Sequence, residues 1–417
     1  MIDELVRRQI VRHLSSGPRT FPEILAVCWG AFPADVKRVL VGLADQNIVL
    51  CESDKFRIAQ AEVNLAHPAG LQTSGEIARR FHEIVRGWPD PHQSNYEWRF
   101  TFDAASVLLT TLESLCGLSP RVCFMGCPTP FILASLAKLF DSILLLDNST
   151  PTTAYIGRVG LSGQVRQHDL LLGLPDELAG CFDAVVLDPP WYPEYYATFL
   201  DASSRAVVKG GYVLCTLLPL CTRETAATER AGVLQIGFEC GLSTLSLREG
   251  ILAYETPRFE AKTLALHGFD GLPTWRQADL LVFFKIAGPS RSVPAIVRPS
   301  SWQEWVLGKC VVRLRPATET AEKDRIMVPI EGKSALLPSV SRTYERILEI
   351  GLWTSSNHAY RVNRPDVVGR MLHWMSLSLD ANEVKHAVLN EFSPDSEAER
   401  LAISSAVDEL FNAVYFS

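Results

Sequence analysis

Phe182-Asp183-Ala184-Val185-Val186-Leu187-Asp188-Pro189-Pro190-Trp191-Tyr192 is the stretch on which the reading of this chain turns. Ala184 to Leu187 is a short apolar run, as expected for a central strand of a parallel sheet. Asp188 ends the run abruptly. Pro189 and Pro190 cannot donate to a ladder and force the chain out of the sheet. An acid, two prolines and an aromatic at the carboxyl end of a parallel strand occupy the place where open α/β sheets put their chemistry.

The residue types suggest what that chemistry is. A planar amine needs acceptors for its N–H groups before it attacks a methyl donor. The Asp188 carboxylate and the Pro189 carbonyl are two such acceptors, and proline rigidity fixes the second at low entropic cost. Trp191 or Tyr192 can stack on the planar group, as flipped bases are held. The alternative is that Asp188 caps a turn and Trp191 is packing, and the flanking chain has to decide.

Residues 120–288 read as an alternation of strands and helices, which implies a parallel, doubly wound sheet. Arg121 to Gly126 is a strand ending in glycine, and Phe131 to Phe140 is its helix. Ile143 to Asp147 is a strand ending in an acid, and Gln164 to Asp169 is a third strand. The opening stretch is the fourth and Gly211 to Leu218 the fifth. Leu245 to Ala253 and Asp279 to Ile286 supply two more, read as an antiparallel edge. Gly126 lets the backbone approach a ligand. Asp147 follows it by 21 residues, near the spacing at which an acid meets ribose hydroxyls in a βαβ nucleoside site. The plainer alternative makes Gly126 a tight turn and Asp147 a helix cap. Together with His168-Asp169 and Asp188-Pro189-Pro190, every one of these residues falls at the carboxyl edge of a strand.

Strand–glycine, strand–acid, strand–acid, strand–D-P-P-W resembles a class I S-adenosylmethionine-dependent methyltransferase over about residues 97–288. Asp188-Pro189-Pro190-Trp191 is similar to the [DNS]-P-P-[YFW] motif of amino-methyltransferases, including N6-adenine enzymes. The resemblance implies a Rossmann-like fold and S-adenosylmethionine as cofactor. It puts Gly126 at the methionine end, Asp147 on the ribose and Asp169 on the adenine amino group, with His168 also among the cofactor-binding candidates. Asp188, Pro189, Pro190 and Trp191 would be the catalytic group holding the target amine. The loop after the first strand, Phe124-Met125-Gly126-Cys127-Pro128-Thr129-Pro130, has one glycine where the family usually has several. The N-terminal part, the single glycine and Gln167-His168-Asp169-Leu170 onward to D-P-P also look similar to the branched-chain polyamine synthases. Those share the fold and use decarboxylated S-adenosylmethionine to transfer an aminopropyl group. Their acidic run after the first strand is here Cys127-Pro128-Thr129, and Trp191 favours a planar acceptor.

The rest of the chain frames this core. Residues 1–60 read as a winged helix. Ile2, Val6, Ile10 and Leu14 form a helical stripe. Thr20-x-x-Glu23 is a capping box opening a second helix, with Pro22 in its first turn. Val36, Leu40 and Leu43 mark a third helix, and Ile48 to Cys51, Glu52-Ser53-Asp54 and Lys55 to Ile58 a hairpin wing. Such a module can bind DNA, but its third helix has only Lys37 and Arg38 against Asp35 and Asp45, which favours packing or a protein partner. Residues 61–96 are a connector broken by Pro68, Gly70, Gly75, Gly87, Pro89 and Pro91, with a helix from Gly75 to Val85. Tyr254 to Glu260 is read as a loop at the active edge, which makes Glu255, Arg258 and Phe259, with Tyr192, substrate-binding candidates; a surface hairpin is the alternative. Pro289, Pro294 and Pro299 mark a linker to an α+β region, 289–417, whose Lys309, Arg313, Arg315, Lys323 and Arg325 give a local basic bias. That bias suits a phosphate backbone or a solvated β face.

Composition bounds the function classes. A chain of 417 residues accommodates two or three domains. The formal charge of −7 argues against a broad nucleic-acid surface but leaves local basic patches open. No run of eighteen apolar residues spans a membrane, and the first residues lack a signal peptide's regions. Ten cysteines occur without a C-x-x-C pair or zinc spacing, which suits reduced thiols in a cytoplasm. The expectation is a cytoplasmic, metal-free amino-methyltransferase. Nucleic acid is its candidate substrate, and the winged helix or the C-terminal region its candidate protein-binding surface. A non-catalytic scaffold with a decayed cofactor pocket is the third alternative.

Overall fold

Three apolar strands buried on both faces, Val122 to Met125, Ile143 to Leu146 and Ala184 to Leu187, make the centre of the molecule's larger unit. The computed structural model describes residues 2–14, 17–28, 30–52, 54–59, 75–116, 120–161, 163–290, 293–296, 302–316, 325–332, 334–341 and 344–416. Of the features read above, Ser53, Pro68, Gly70, Pro299 and Lys323 lie outside the described residues.

The chain forms two compact units. One is Met1–Arg86, Trp98–Thr256 and Leu272–Val297; the other is Gly87–Glu97, Pro257–Gly271 and Arg298–Ser417. Consecutive boundaries at 60, 96 and 288 do not describe this division, because two short excursions join the second unit. Residues 257–271 do so through buried Phe259 and Leu264, and through Thr263, whose hydroxyl accepts from Asn357 Nδ2 at 2.9 Å. Residues 87–97 do so through His92 and Gln93, whose side chains bond the carbonyls of Trp353 and Thr354 at 3.0 Å each.

The first unit opens with α1 (Ile2–Leu14), β1 (Arg19–Thr20), α2 (Phe21–Val27), α3 (Pro33–Asp45), β2 (Val49–Glu52) and β3 (Lys55–Ile58). The strands pair antiparallel in the order β1-β3-β2. Val6, Ile10, Leu14, Val36, Leu40 and Leu43 are buried, and the Thr20–Glu23 capping box forms, with Thr20 N donating to Glu23 Oε2 at 2.7 Å. Arg38 on α3 is engaged by Asp3 and Asp35, so one of that helix's two bases is neutralised within the module.

The unit continues through α4 (Gly75–Gly87), β4 (Arg99–Phe100), α5 (Phe102–Cys116), β5 (Arg121–Met125), α6 (Pro128–Ala137), β6 (Ser142–Asp147), α7 (Thr150–Arg158), β7 (Gln164–Gln167), β8 (Phe182–Leu187), α8 (Pro193–Ala206), β9 (Val207–Leu217), α9 (Ala226–Glu239), β10 (Leu242–Glu255) and β11 (Gln277–Lys285). The sheet order is β4-β10-β11-β9-β8-β5-β6-β7. β5 to β9 run parallel, and β11, β10 and β4 are antiparallel. This is a Rossmann-like, doubly wound sheet. Its winding reverses between β5 and β8, so the crevice at their carboxyl tips is the topological switch point.

The second unit contains α10 (Arg258–Leu266), β12 (Gln303–Leu307), β13 (Cys310–Leu314), β14 (Met327–Pro329), β15 (Leu352–Thr354), β16 (Ala359–Val362), α11 (Pro365–Ser376), α12 (Ala381–Phe392) and α13 (Glu397–Phe411). Its antiparallel sheet, in the order β12-β13-β15-β16-β14, shares a core with the three last helices. Val312, Leu352 and Tyr360 meet Met371, Val388 and Val407 there. Among the described residues, no helix is long and apolar enough to cross a membrane.

One buried ion pair ties α9 to the sheet. The Arg230 and Asp279 side chains are 9 % and 2 % exposed. Arg230 Nη1 also donates to the Leu218 carbonyl at 2.7 Å, and Asp279 Oδ1 accepts from Gly250 N at 2.8 Å. Removing one partner strands the other charge in the interior. Asp279→Ala should therefore lower unfolding free energy by about 3–5 kcal/mol in urea titrations. A loss near zero would show that the pair is solvated.

Candidate active site at the strand tips

The tips of β5 and β8 are stitched together. Asp188 N donates to the Met125 carbonyl at 3.2 Å. Gly126, at φ +63°, turns the chain out of β5 in a conformation that glycine adopts readily. A Cβ there would lie 3.4 Å from both the Asp188 carbonyl and the Phe199 ring. The close approach that this glycine permits is thus, in part, to Asp188 itself.

Asp188 is the centre of the site. Its Oδ1 accepts two short hydrogen bonds, from Thr216 Oγ1 at 2.6 Å and from Tyr254 OH at 2.7 Å. Its Oδ2 accepts none from a described residue. Burial pushes the carboxyl up to about 7, against the opposite pull of the two hydroxyl donors. The carbonyl of Pro189, the next residue, likewise accepts no hydrogen bond from a described residue. Two adjacent acceptors therefore lack a partner at the switch point.

Thr216 and Tyr254 were not legible as site residues. Thr216 sits in a strand and looks like an ordinary strand residue. Tyr254, read as the first residue of the loop after the strand, is still within β10, which runs to Glu255. Thr216 ends β9, the neighbour of β8. Tyr254 lies near the end of β10 and pairs with Phe100 of β4, whose ring stacks on it at 4.7 Å and 22°. β4 itself is two residues long and reads in the sequence as a lead-in to a helix. The burial and the Asp188 charge hold the Tyr254 hydroxyl far above its ordinary pKa, so it stays a donor.

Trp191 sits among other aromatics rather than alone. Its ring meets Tyr254 edge-on at 6.1 Å. The Arg276 guanidinium lies 4.1 Å from the Trp98 ring centre, 4.8 Å from that of Trp275 and 5.4 Å from that of Trp191. A second cation, Arg223, bonds the Trp191 carbonyl, pairs with Glu229 and lies 5.4 Å over the Tyr192 ring. Pro190 turns the loop, its carbonyl accepting from Tyr192 N at 2.6 Å. Two arginines, absent from the sequence reading of the site, thus flank the Asp188–Tyr192 loop.

The tips of β6 and β7 hold their acids in turns. Asp147 is buried, and its Oδ1 accepts from Ser149 N at 2.8 Å. Its backbone carbonyl takes His168 N at 2.9 Å. His168 Nε2 bonds the Gly173 carbonyl at 2.7 Å. Asp169 Oδ1 accepts from Leu171 N at 3.0 Å, and its Oδ2 has no partner among the described residues. Cys127, the N-cap of α6, is buried close to the charges of Asp188 and Asp147, and burial keeps its thiol protonated. Gly126, Asp147, Asp169 and Asp188 thus belong to one sheet edge.

The remaining candidates divide. Glu255 ends β10 opposite Arg99 of β4, and burial raises its carboxyl. Arg258 and Phe259 belong to the second unit, where Arg258 pairs with Asp90 at 3.5 Å and Phe259 is buried. These contacts account for both side chains.

No family model matches the chain, and no curated protein matches it. Among solved structures, it is similar to the branched-chain polyamine synthase of Thermus thermophilus in complex with N4-aminopropylspermidine and 5'-methylthioadenosine. The identity is 16%, the TM-score 0.55, and the match covers 71% of this chain and 90% of that one. A mutein of the same enzyme, in the same complex, matches with the same values. A TehB-like SAM-dependent methyltransferase from Corynebacterium glutamicum matches at 14% identity over 50% of this chain and 96% of that one, with a TM-score of 0.32. At these identities the likeness to the synthase is one of fold.

Both donors to Asp188 favour its ionised form. Tyr254→Phe and Thr216→Val should each raise the Asp188 pKa above about 7. Carboxyl 13C NMR titration reads this directly, and an unmoved or lowered pKa in both variants would contradict the geometry.

Proposed function

We propose that the chain transfers the methyl group of S-adenosylmethionine to an amino nitrogen, with the exocyclic N6 of adenine in a nucleic acid as acceptor. The observation that carries this reading is the pair of adjacent acceptors, Asp188 Oδ2 and the Pro189 carbonyl, which have no partner among the described residues. An NH2 group has two N–H bonds to place, and two fixed acceptors orient its lone pair away from both.

The strand tips fit the cofactor in their donor and acceptor chemistry. Asp169 Oδ2 is a carboxylate oxygen suited to an adenine amino group. Asp147 suits ribose hydroxyls, with its Oδ1 already taking one backbone N–H. Gly126 brings bare backbone to the same edge. S-adenosylmethionine supplies a methyl group on a sulfonium, reactive enough that the acceptor needs orientation more than activation.

The chain's own residues do the rest. Thr216 and Tyr254 fix the Asp188 carboxylate through one oxygen and leave the other directed at the amine. With a pKa of about 7, Asp188 can take the proton that the nitrogen sheds on alkylation. Trp191 provides the flat surface for the acceptor. Arg276 beside it favours an acceptor that carries phosphates over a polycation, while Arg223 is balanced by Glu229. The N-terminal module and the second unit are the parts we assign to holding the substrate polymer or a protein partner.

Aminopropyl transfer to a polyamine is the second reading. The raised carboxyl favours it, since a protonated amine needs a base before it can attack. Decarboxylated S-adenosylmethionine with spermidine would give a branched product on that reading and none on the first.

Asp188→Asn tests the assignment. With Oδ1 still accepting from Thr216 and Tyr254, the amide nitrogen takes the Oδ2 position and turns an acceptor into a donor. Methyl transfer should fall about 100-fold or more, with S-adenosylhomocysteine affinity by calorimetry little changed. In the parent protein the rate should rise with pH through about 7. A variant as fast as the parent would refute the role of Asp188.

A further inference from the structure

The second unit carries a cleft of its own, about 190 Å³ in volume, lined by aromatic residues Tyr96, Trp302 and Trp353 together with Gln93, Arg315 and Leu348. At roughly 30 Å³ per water this is room for about six waters, which matches one flat heterocycle and falls below the about 300 Å³ at which pockets for drug-sized ligands begin.

Two polar groups in its lining have unmet hydrogen-bonding capacity. Gln93 is 3 % exposed. Its Nε2 donates to the Thr354 carbonyl at 3.0 Å. A carbonyl can only accept, so the amide is fixed with Oε1 left over, and Oε1 is buried without a partner. Arg315 Nε is also buried without a partner, although the same guanidinium donates from Nη1 to the Leu348 carbonyl at 3.1 Å. Buried orphans of this kind are few in folded proteins and call for an explanation.

The surroundings hold these groups in place. His92 caps the short turn that carries Gln93. Its Nε2 donates to the Trp353 carbonyl at 3.0 Å, which leaves Nδ1 to accept from Ser94 N at 3.2 Å. Burial and the nearby Arg313 keep that imidazole neutral. Arg313 is locked to Glu304 at 2.6 Å and to Ser94 Oγ at 2.6 Å. Tyr96, at φ +55°, holds a left-handed conformation at the end of the turn. The Arg315 guanidinium lies 4.5 Å from the Trp302 ring centre. The basic bias read in this part of the sequence is thus divided: Arg313 is neutralised by Glu304, and Arg315 belongs to the cleft.

We propose that this cleft binds a single nucleobase. Its ring would lie against the tryptophans and the Arg315 plane, with one edge offering an N–H to Gln93 Oε1 and a ring nitrogen or carbonyl to Arg315 Nε once the side chains that cover those two atoms move aside. Adenine and cytosine present such a donor–acceptor edge. Stacking on aromatic rings and arginine planes is how unpaired bases are held. The proposal deepens the nucleic-acid reading above and rests on it only for a polymer as the source of the base.

Fluorescence anisotropy on the full chain, with saturating S-adenosylhomocysteine to occupy the first unit, tests it. The probes are labelled single-stranded oligo-dA and oligo-dC, the same backbones made abasic, and free AMP and CMP as competitors. Base-bearing oligomers should bind about tenfold or more tightly than abasic ones. Trp302→Ala and Arg315→Met should each remove most of that difference while keeping the parent's thermal midpoint. Competition by AMP or CMP would make the source a free nucleotide, and its absence a strand. Binding that ignores the base, binding unchanged in both folded variants, or no binding of any probe would overturn the proposal. The methyl-transfer reading is tested at Asp188, a residue of the other unit, so either idea can fail without the other.

Discussion

Two hydroxyls on one carboxylate oxygen organise the active edge of the first unit. Thr216 and Tyr254 both donate to Asp188 Oδ1, and this has three consequences. It fixes the carboxylate plane. It spends both hydroxyls on one oxygen and leaves the other without a donor among the described residues. It also joins the neighbours β8 and β9 to β10, across the intervening β11, through one buried group. Burial works against ionisation and the donors work for it, and the balance puts the group near neutrality. A carboxyl so placed can orient an amine when ionised and retain a proton when not.

The surroundings of that carboxylate are aromatic, with two arginines set among the rings. Arg276 lies against three indoles, and Arg223 bridges the Asp188–Tyr192 loop to Glu229. Electrostatics of this sign matter more for the choice of acceptor than for the chemical step. The fold alone leaves the two transferase readings equal, since one sheet topology serves both chemistries. The N-terminal module packs near this edge: Phe32 meets Trp275 edge-on at 6.1 Å, and a Cβ on Gly30 would lie 2.4 Å from Thr222 Oγ1. It thereby touches the loops that follow β9 and precede β11.

Much of the sheet was readable because its strands are apolar runs that end on polar residues. Gly126, Asp147 and Asp188 each follow or close such a run, Asp169 comes two residues after the polar β7, and the ends of parallel strands lie on one edge by topology. What was hidden depends on contacts across long sequence separation. Thr216 is 28 residues from Asp188 and Tyr254 is 66. Thr216 does not break the pattern of its strand, so periodicity cannot flag it. Tyr254 falls in the stretch read as a loop at the active edge, where nothing in the sequence pairs it with Asp188. The two-residue β4 is too short to carry a period at all. The division into units was hidden for a related reason: 87–97 and 257–271 are held by side-chain bonds to β15 and the turn after it, and local composition carries no trace of such bonds. Arg258 and Phe259 read as loop residues in the sequence, whereas they open α10 (Arg258–Leu266).

The central claim is that the atom receiving the transferred group is an amino nitrogen held by Asp188 and the Pro189 carbonyl. Mass spectrometry of nucleosides digested from nucleic-acid substrates, after transfer of an isotope-labelled methyl by the purified chain, identifies that atom. The account predicts label on an exocyclic nitrogen, N6 of adenine foremost. Label on a ring carbon or a ribose oxygen would contradict it, since neither presents two N–H bonds to the paired acceptors.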